Sequence, residues 1–215
     1  MPRPPGKPRP ASTELRAGLA RAIPTPRCEL AFADPWQLLI ATILSAQSTD
    51  ARVNQVTPEL FRRFPTPAAL AAASQEEVEG LVKSTGFFRN KARAIREASQ
   101  GLVARFGGEV PRTLEELTTL RGVARKTANL VLGAALGIPS GIVVDTHVAR
   151  VAGRLGLTRA TDPEEIERDL MTLFPREEWI ATGLRLVLHG RYTCLARKPR
   201  CAGCALNELC PAREG

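Results

Sequence analysis

Apolar residues recur along most of the chain at the three-and-four spacing of a helix face, and the clearest stretch is Trp36, Leu39, Ile40, Ile43 and Leu44. It sits behind Asp34-Pro35, an N-cap residue followed by a first-turn proline. Similar helix starts recur at Thr66-Pro67, at Ser74 with Glu77, at Thr113 with Glu116, and at Asp162-Pro163 with Glu165. Ser74 and Thr113 each have a glutamate three residues on, the spacing of a capping box. Gly86, Gly107, Gly137 and Gly156 stand where apolar patterns stop, as C′ glycines do. The only β-branched run, Ile142-Val143-Val144, is too short to found a sheet. The pattern predicts an all-α fold.

Gly137 to Gly141, with Pro139 and Ser140 between, is the strongest internal break. It divides the chain into a helical lobe over 28–139 and a second lobe made of 140–215, completed by an N-terminal helix within 12–27. Residues 1–11 read as a disordered, basic, Pro-rich tail. No repeat of solenoid period occurs, so function is expected in particular sites. No apolar run approaches the ~18 residues of a membrane span, and the N-terminus carries no signal-peptide core. A cytoplasmic monomer with no membrane partner is the expectation.

The 215 residues are 44% hydrophobic and 24% charged, enough apolar content to bury a core. Thirty Lys and Arg against 22 Asp and Glu give a net charge of +8. Arg3, Lys7 and Arg9 account for +3 of it, leaving +5 for the rest. Such an excess points either to a polyanion or to a basic surface serving solubility. With aromatic residues at only 5%, the chain lacks the stacking platforms of single-strand binders, so duplex nucleic acid is the better polyanion.

Four of the five cysteines crowd into Cys194-x6-Cys201-x2-Cys204-x5-Cys210, and Cys28 stands apart as half-buried packing. Four thiolates so close in sequence suit one soft metal centre, with a [4Fe–4S] cluster, a zinc site or two disulfides as the candidates. The x6 spacing fits poorly with the paired cysteines of zinc sites. Disulfides need an oxidising compartment, and nothing in the sequence exports the chain. Spacing and context therefore favour the cluster. Arg191, Arg197, Lys198 and Arg200 surround these cysteines and would offset its negative charge or face phosphates.

The segment LEELTTLRGVARKTANLVLGAALG reads as a short capped helix, a tight turn at Gly122 and a second helix. Backbone amides at such a turn and helix start form an anion site that fits a DNA phosphate. Arg125 and Lys126 lie at the same helix start, where the dipole disfavours cations. A lysine there, partly desolvated, is expected to favour its nucleophilic amine form, against the alternative of an ordinary solvated lysine. Downstream, GIVVDTHVAR places Asp145 just before another helix, where it is either an N-cap or a catalytic carboxylate. His147 and His189 read first as structural hydrogen-bonding residues.

The hairpin LRGVARKTANLV, the following VVDTHVARV, the upstream LLIATILSAQSTD, and HGRYTC running into the x6, x2, x5 cysteines resemble, in the same order, the endonuclease III family. The resemblance spans about residue 30 to 210. It implies two all-α lobes, a six-helix barrel carrying the helix-hairpin-helix at about 114–137 and a [4Fe–4S] lobe, with a DNA-binding cleft between. It also implies a base excision repair glycosylase for oxidised pyrimidines in duplex DNA, with AP lyase activity, in a bacterial cytoplasm and at the nucleoid when bound to DNA. By motif match, Lys126 corresponds to the nucleophilic lysine, Asp145 to the catalytic aspartate, and Cys194, Cys201, Cys204 and Cys210 to the cluster ligands. Gln47 corresponds to the residue that fills the gap left by a flipped base, and Ser45, Asp50, Thr146 and His147 to positions near the pocket. Phe87, Arg121, Gly122, Val123, Ala124 and Arg125 fall on DNA-contacting positions.

Two departures stand out. The family hairpin commonly reads Leu-Pro-Gly-Val-Gly, and here it is Leu120-Arg121-Gly122-Val123-Ala124. If position 124 required a positive φ, alanine there would cost about 1–2 kcal/mol. Phe87 replaces a common leucine wedge with a bulkier ring, which bears on opposite-base preference and unstacking. The catalytic pair is intact, so the expectation is an active but atypical enzyme of low turnover. A non-catalytic DNA-binding protein on the same scaffold is the alternative from another class, and Lys126 with Asp145 speaks against it.

Overall fold

The computed structural model describes residues 12–213; the tail expected over 1–11 lies outside them. In chain order the helices are α1 Ser12–Ala22, α2 Pro35–Leu44, α3 Asp50–Arg63, α4 Pro67–Ala72, α5 Gln75–Val82, α6 Phe88–Phe106, α7 Leu114–Thr118, α8 Arg125–Leu136, α9 Thr146–Leu155, α10 Pro163–Leu173 and α11 Trp179–Tyr192. Single 3-10 turns occur at Lys83–Thr85, Arg176–Glu178 and Asn207–Leu209. Among the described residues there is no strand.

The five helix starts marked in the sequence are all real, because a cap is a contact within one turn. The Asp34 carboxylate accepts the Gln37 N–H at 2.8 Å, and Asp162 accepts from both Glu164 and Glu165. Thr66 accepts the Ala69 N–H at 3.1 Å. Ser74 and Glu77 form the full reciprocal box. Thr113 accepts the Glu116 N–H, but the Glu116 carboxylate takes the Thr113 hydroxyl proton instead of the backbone N–H, so only half of that box forms. Gly107, Gly137 and Gly156 close helices in the left-handed conformation. Gly86 differs: at φ 71 and ψ 154 it leads out of a 3-10 turn into Phe87 rather than capping an α-helix.

The described residues divide into two compact units, Cys28–Ser140 and the combination of 12–27 with 141–213. In the first, α2 is buried nearly all round, including Leu38, which lies off the face read from the sequence. A helix apolar on every side belongs in a core, and α2 packs against α3, α6 and α8 there. Truncating a fully buried leucine such as Leu39 to alanine costs about 2–5 kcal/mol. Trp36 at the head of α2 donates its indole N–H to Ser99 at 3.3 Å and meets the Phe61 ring at 5.4 Å. In the second unit, α9, α11 and α1 enclose Leu15, Leu19, Val148, Val151 and Leu186, with Cys194, Cys204 and Cys210 packed against them. The Ile142-Val143-Val144 run is coil rather than sheet, and Ile142 and Val144 are buried.

Candidate active site and cysteine centre

Within the first unit, α7 and α8 flank the turn Thr119 to Ala124. Gly122 has φ +77, and a Cβ there would come within 3.1 Å of the Ala94 Cβ, so glycine is required by both backbone and space. Ala124 is the N-cap of α8 with φ −88 and ψ 169, ordinary extended backbone. The strain considered for alanine at this position is therefore absent. No capping side chain occupies the start of α8, which leaves that end suited to an anion. Val123 is buried and anchors the turn, while Arg121 and Ala124 are exposed. Arg121 lies 3.6 Å from Glu97 and its side chain remains 66% exposed, leaving the guanidinium reachable. Lys126 is the second residue of α8 and is exposed. The partial desolvation expected for it is thus not provided within its own unit.

Two loops of the same unit carry the remaining nominated residues. Between α2 and α3, Ser45 caps α2 and donates to the Thr42 carbonyl at 2.8 Å, while Asp50 opens α3. Gln47, between them, is exposed and held at φ 53. Phe87, just before α6, has φ 48 and is 65% exposed. Non-glycine residues in the left-handed region store strain, more so when bulky, and such positions cluster at functional sites. Both residues that the resemblance places against displaced bases therefore share an exposed, strained presentation.

In the second unit, Asp145 caps α9. Its Oδ1 accepts the N–H groups of His147 at 2.8 Å and Val148 at 2.9 Å, and Oδ2 lies 3.1 Å from His147 Nδ1. The N-cap role is real, and it fixes the carboxylate's position. Thr146, first in the helix, is exposed, and His147 is half-buried. The start of α9 is set from behind by α11. A Cβ at Gly190 would fall 2.8 Å from the His147 Cβ, so only glycine allows this approach.

The far end of α9 ties down the cysteine segment. Arg150 donates to the Gly190 carbonyl at 2.8 Å and the Cys194 carbonyl at 3.1 Å. Arg154 donates to the Leu195 carbonyl at 2.6 Å, the Ala196 carbonyl at 3.0 Å and the Cys194 sulfur at 3.3 Å. The Leu206 N–H points at the Cys204 sulfur at 3.4 Å. Arg150, Arg154 and Gly190 were not singled out in the sequence, since their partners lie about 40 residues away. His189 is buried, and burial pushes its imidazole toward the neutral form.

Cys194, Cys201, Cys204 and Cys210 line one pocket with no disulfide between them. Burial pushes the Cys204 and Cys210 thiols up, and the neighbouring cysteines add to it. Cys204 and Cys210, buried and with their ionisation opposed, need a cationic centre to be held as thiolates. Donor type, shared pocket and N–H···S contacts fit an all-sulfur metal centre. Among the described residues no three His, Cys, Asp or Glu side chains are drawn together closely enough to ligate a single ion.

Residues 40–176 match the HhH-GPD superfamily base excision DNA repair protein family. The chain is 54% identical over 203 residues to endonuclease III of Synechocystis sp., covering 94% of this chain and 93% of that one. It is 41% identical to endonuclease III of Escherichia coli K12, covering 94% and 95%. A solved non-covalent endonuclease III–DNA complex superposes with a TM-score of 0.88 at 45% identity, covering 94% of this chain and 96% of that one. A trapped endonuclease III–DNA covalent intermediate matches equally, at 0.88 and 45%, covering 94% and 97%. A thermostable thymine-DNA glycosylase, at 21% identity and 0.80, shares the fold. On these grounds the chain belongs to the endonuclease III family of helix-hairpin-helix base excision repair proteins.

Proposed function

We propose that this protein is a DNA glycosylase and AP lyase that removes oxidised pyrimidines from duplex DNA, with Lys126 as nucleophile and Asp145 as the catalytic carboxylate. The observation that carries the reading is Lys126 on an uncapped helix start within a family of base excision repair proteins. The Lys126 amine attacks C1′ of a flipped nucleotide, and the C1′–N bond breaks with its electron pair leaving on the base. Asp145 stabilises the positive charge that develops at C1′ and takes a proton from the attacking amine. Opening of the sugar gives a protonated imine on Lys126. The imine acidifies the C2′ proton; its removal breaks the C3′–O bond, releasing the 3′ strand with a 5′ phosphate. Water then hydrolyses the imine and restores the lysine.

Cys194, Cys201, Cys204 and Cys210 would hold a [4Fe–4S] cluster, which supplies a structural centre that orders residues 194–210 and presents Arg197, Lys198 and Arg200 to DNA. A [4Fe–4S] centre together with its four thiolates carries about −2, reducing the chain's working charge from +8 to about +6. Arg121 supplies a phosphate contact in place of the proline common at its position. Arg121→Ala should then flatten the dependence of log affinity on log salt by about 0.9; an unchanged slope and affinity would remove Arg121 from the interface. The site of action is the cytoplasm, at the nucleoid.

The test is a duplex with one oxidised pyrimidine, scored separately for released base and for the nicked strand. Both should appear together. Base release without nicking would assign a hydrolytic glycosylase instead. Metal analysis of the same preparation should find about four irons and four inorganic sulfides per chain. Stoichiometric zinc would overturn the cluster assignment.

A further inference from the structure

Lys91 is an unusual residue to find inside this protein. It lies in the first turn of α6, where a cation is disfavoured by the helix dipole, and it is 5% exposed. Its ammonium donates to the Thr85 carbonyl at 2.6 Å, and its backbone N–H donates to the Phe87 carbonyl at 3.1 Å. Thr85 is itself buried, with its hydroxyl donating to the Val82 carbonyl at 2.8 Å. Gly86 and Phe87 lie between these two anchors, both at positive φ, and α6 has no side-chain cap at its start. The strained turn that presents the exposed Phe87 is therefore held from beneath by a single buried cation.

We propose that Lys91 is the positioning residue for the Phe87 wedge, clamping Thr85-Gly86-Phe87 so that the ring enters the base stack in one fixed orientation. The proposal rests on the reading of Phe87 as the wedge. A buried charge with no catalytic or phosphate contact is weak as a source of stability, since an apolar replacement of similar volume is often neutral or stabilising. Its retention is explained by what it orders. Wedge insertion must pay for unstacking at the moment of flipping, so a turn left free to wander lowers the rate of that step.

The experiment compares wild type, Lys91→Met, Phe87→Ala and the double variant on two duplexes, one with an oxidised pyrimidine and one with a preformed abasic site. A 2-aminopurine beside each lesion reports unstacking, and hydrogen exchange reports the 85–88 segment. Lys91→Met is expected to slow excision of the oxidised base about 10-fold or more, and to weaken the 2-aminopurine signal. Its effect on the abasic duplex should be smaller, because no base has to leave the stack. Its thermal midpoint should not fall, exchange should rise only around 85–88, and the double variant should be no slower than Phe87→Ala. If Phe87→Ala is impaired while Lys91→Met matches wild type, the clamp is wrong and the wedge stands. If Phe87→Ala itself behaves as wild type, the wedge reading fails and takes the clamp with it. A lower midpoint with faster exchange throughout Cys28–Ser140 would make Lys91 a general structural residue and overturn the proposal.

Discussion

Asp145 and His147 are joined twice, through the His147 N–H to Oδ1 at 2.8 Å and through His147 Nδ1 to Oδ2 at 3.1 Å. One oxygen of the carboxylate is committed to capping α9, so cap and chemistry can be separated by substitution. Asparagine caps about as well as aspartate, whereas alanine loses about 1 kcal/mol of helix stability. Asp145→Asn should keep the thermal midpoint and slow excision by about 10²-fold or more, the scale of removing one transition-state electrostatic partner. Wild-type excision by Asp145→Asn would reduce Asp145 to a helix cap.

The hairpin offers opposite outcomes at two neighbouring positions. Gly122→Ala forces a side chain onto φ +77 and toward Ala94, and should destabilise by about 1–2 kcal/mol or more and weaken duplex binding. Ala124→Gly relieves no strain, because φ is already −88, and should leave binding unchanged in filter or anisotropy assays. Tighter binding by Ala124→Gly would mean that alanine distorts the turn. The low turnover expected from this departure thus loses its backbone basis.

Arg154 holds two carbonyls and the Cys194 sulfur with one guanidinium. Removing it leaves those acceptors without their charged donor and loosens the ligand segment, and outer-shell partners of this kind commonly govern metal retention about 10–100-fold. Arg154→Met should emerge from gel filtration with less iron per chain and a weaker visible absorbance. Equal metal content would show that the cysteine segment orders itself without α9.

Burial lowers the Lys91 pKa below the ordinary lysine value of 10.5. The unfolded chain then holds this proton at pH values where the folded one has begun to release it, so stability rises with pH between the two pKa values. Below that window both states are charged and the full penalty of burial applies. The stability of wild type relative to Lys91→Met should therefore improve as pH rises toward 10.5, measured by denaturant midpoints from pH 7 upward. A constant difference would mean that the ammonium is not desolvated.

What could be read from the sequence was what is local to it. Asp34, Thr66, Ser74, Thr113, Asp162 and Asp145 declare helix starts because a cap bonds two or three residues onward. The start of α6 was silent because it has no side-chain cap and begins from a left-handed phenylalanine. Gly190, Arg150 and Arg154 were equally silent, since their meaning lies in the approach of α11 and the cysteine segment to α9. Nothing in the sequence marks Lys91 among the chain's basic residues, and only burial distinguishes it. The motif match nominated Lys126 but carried no information on its exposure.

The central claim is that Lys126 forms a covalent bond to the sugar. Borohydride reduction during incubation with an abasic or oxidised-pyrimidine duplex tests it directly, since reduction locks the imine as a stable amine. Wild type should yield a protein–DNA adduct that Lys126→Ala abolishes and that peptide mapping places on residue 126. No adduct from wild type, or an equal adduct from Lys126→Ala, would contradict it.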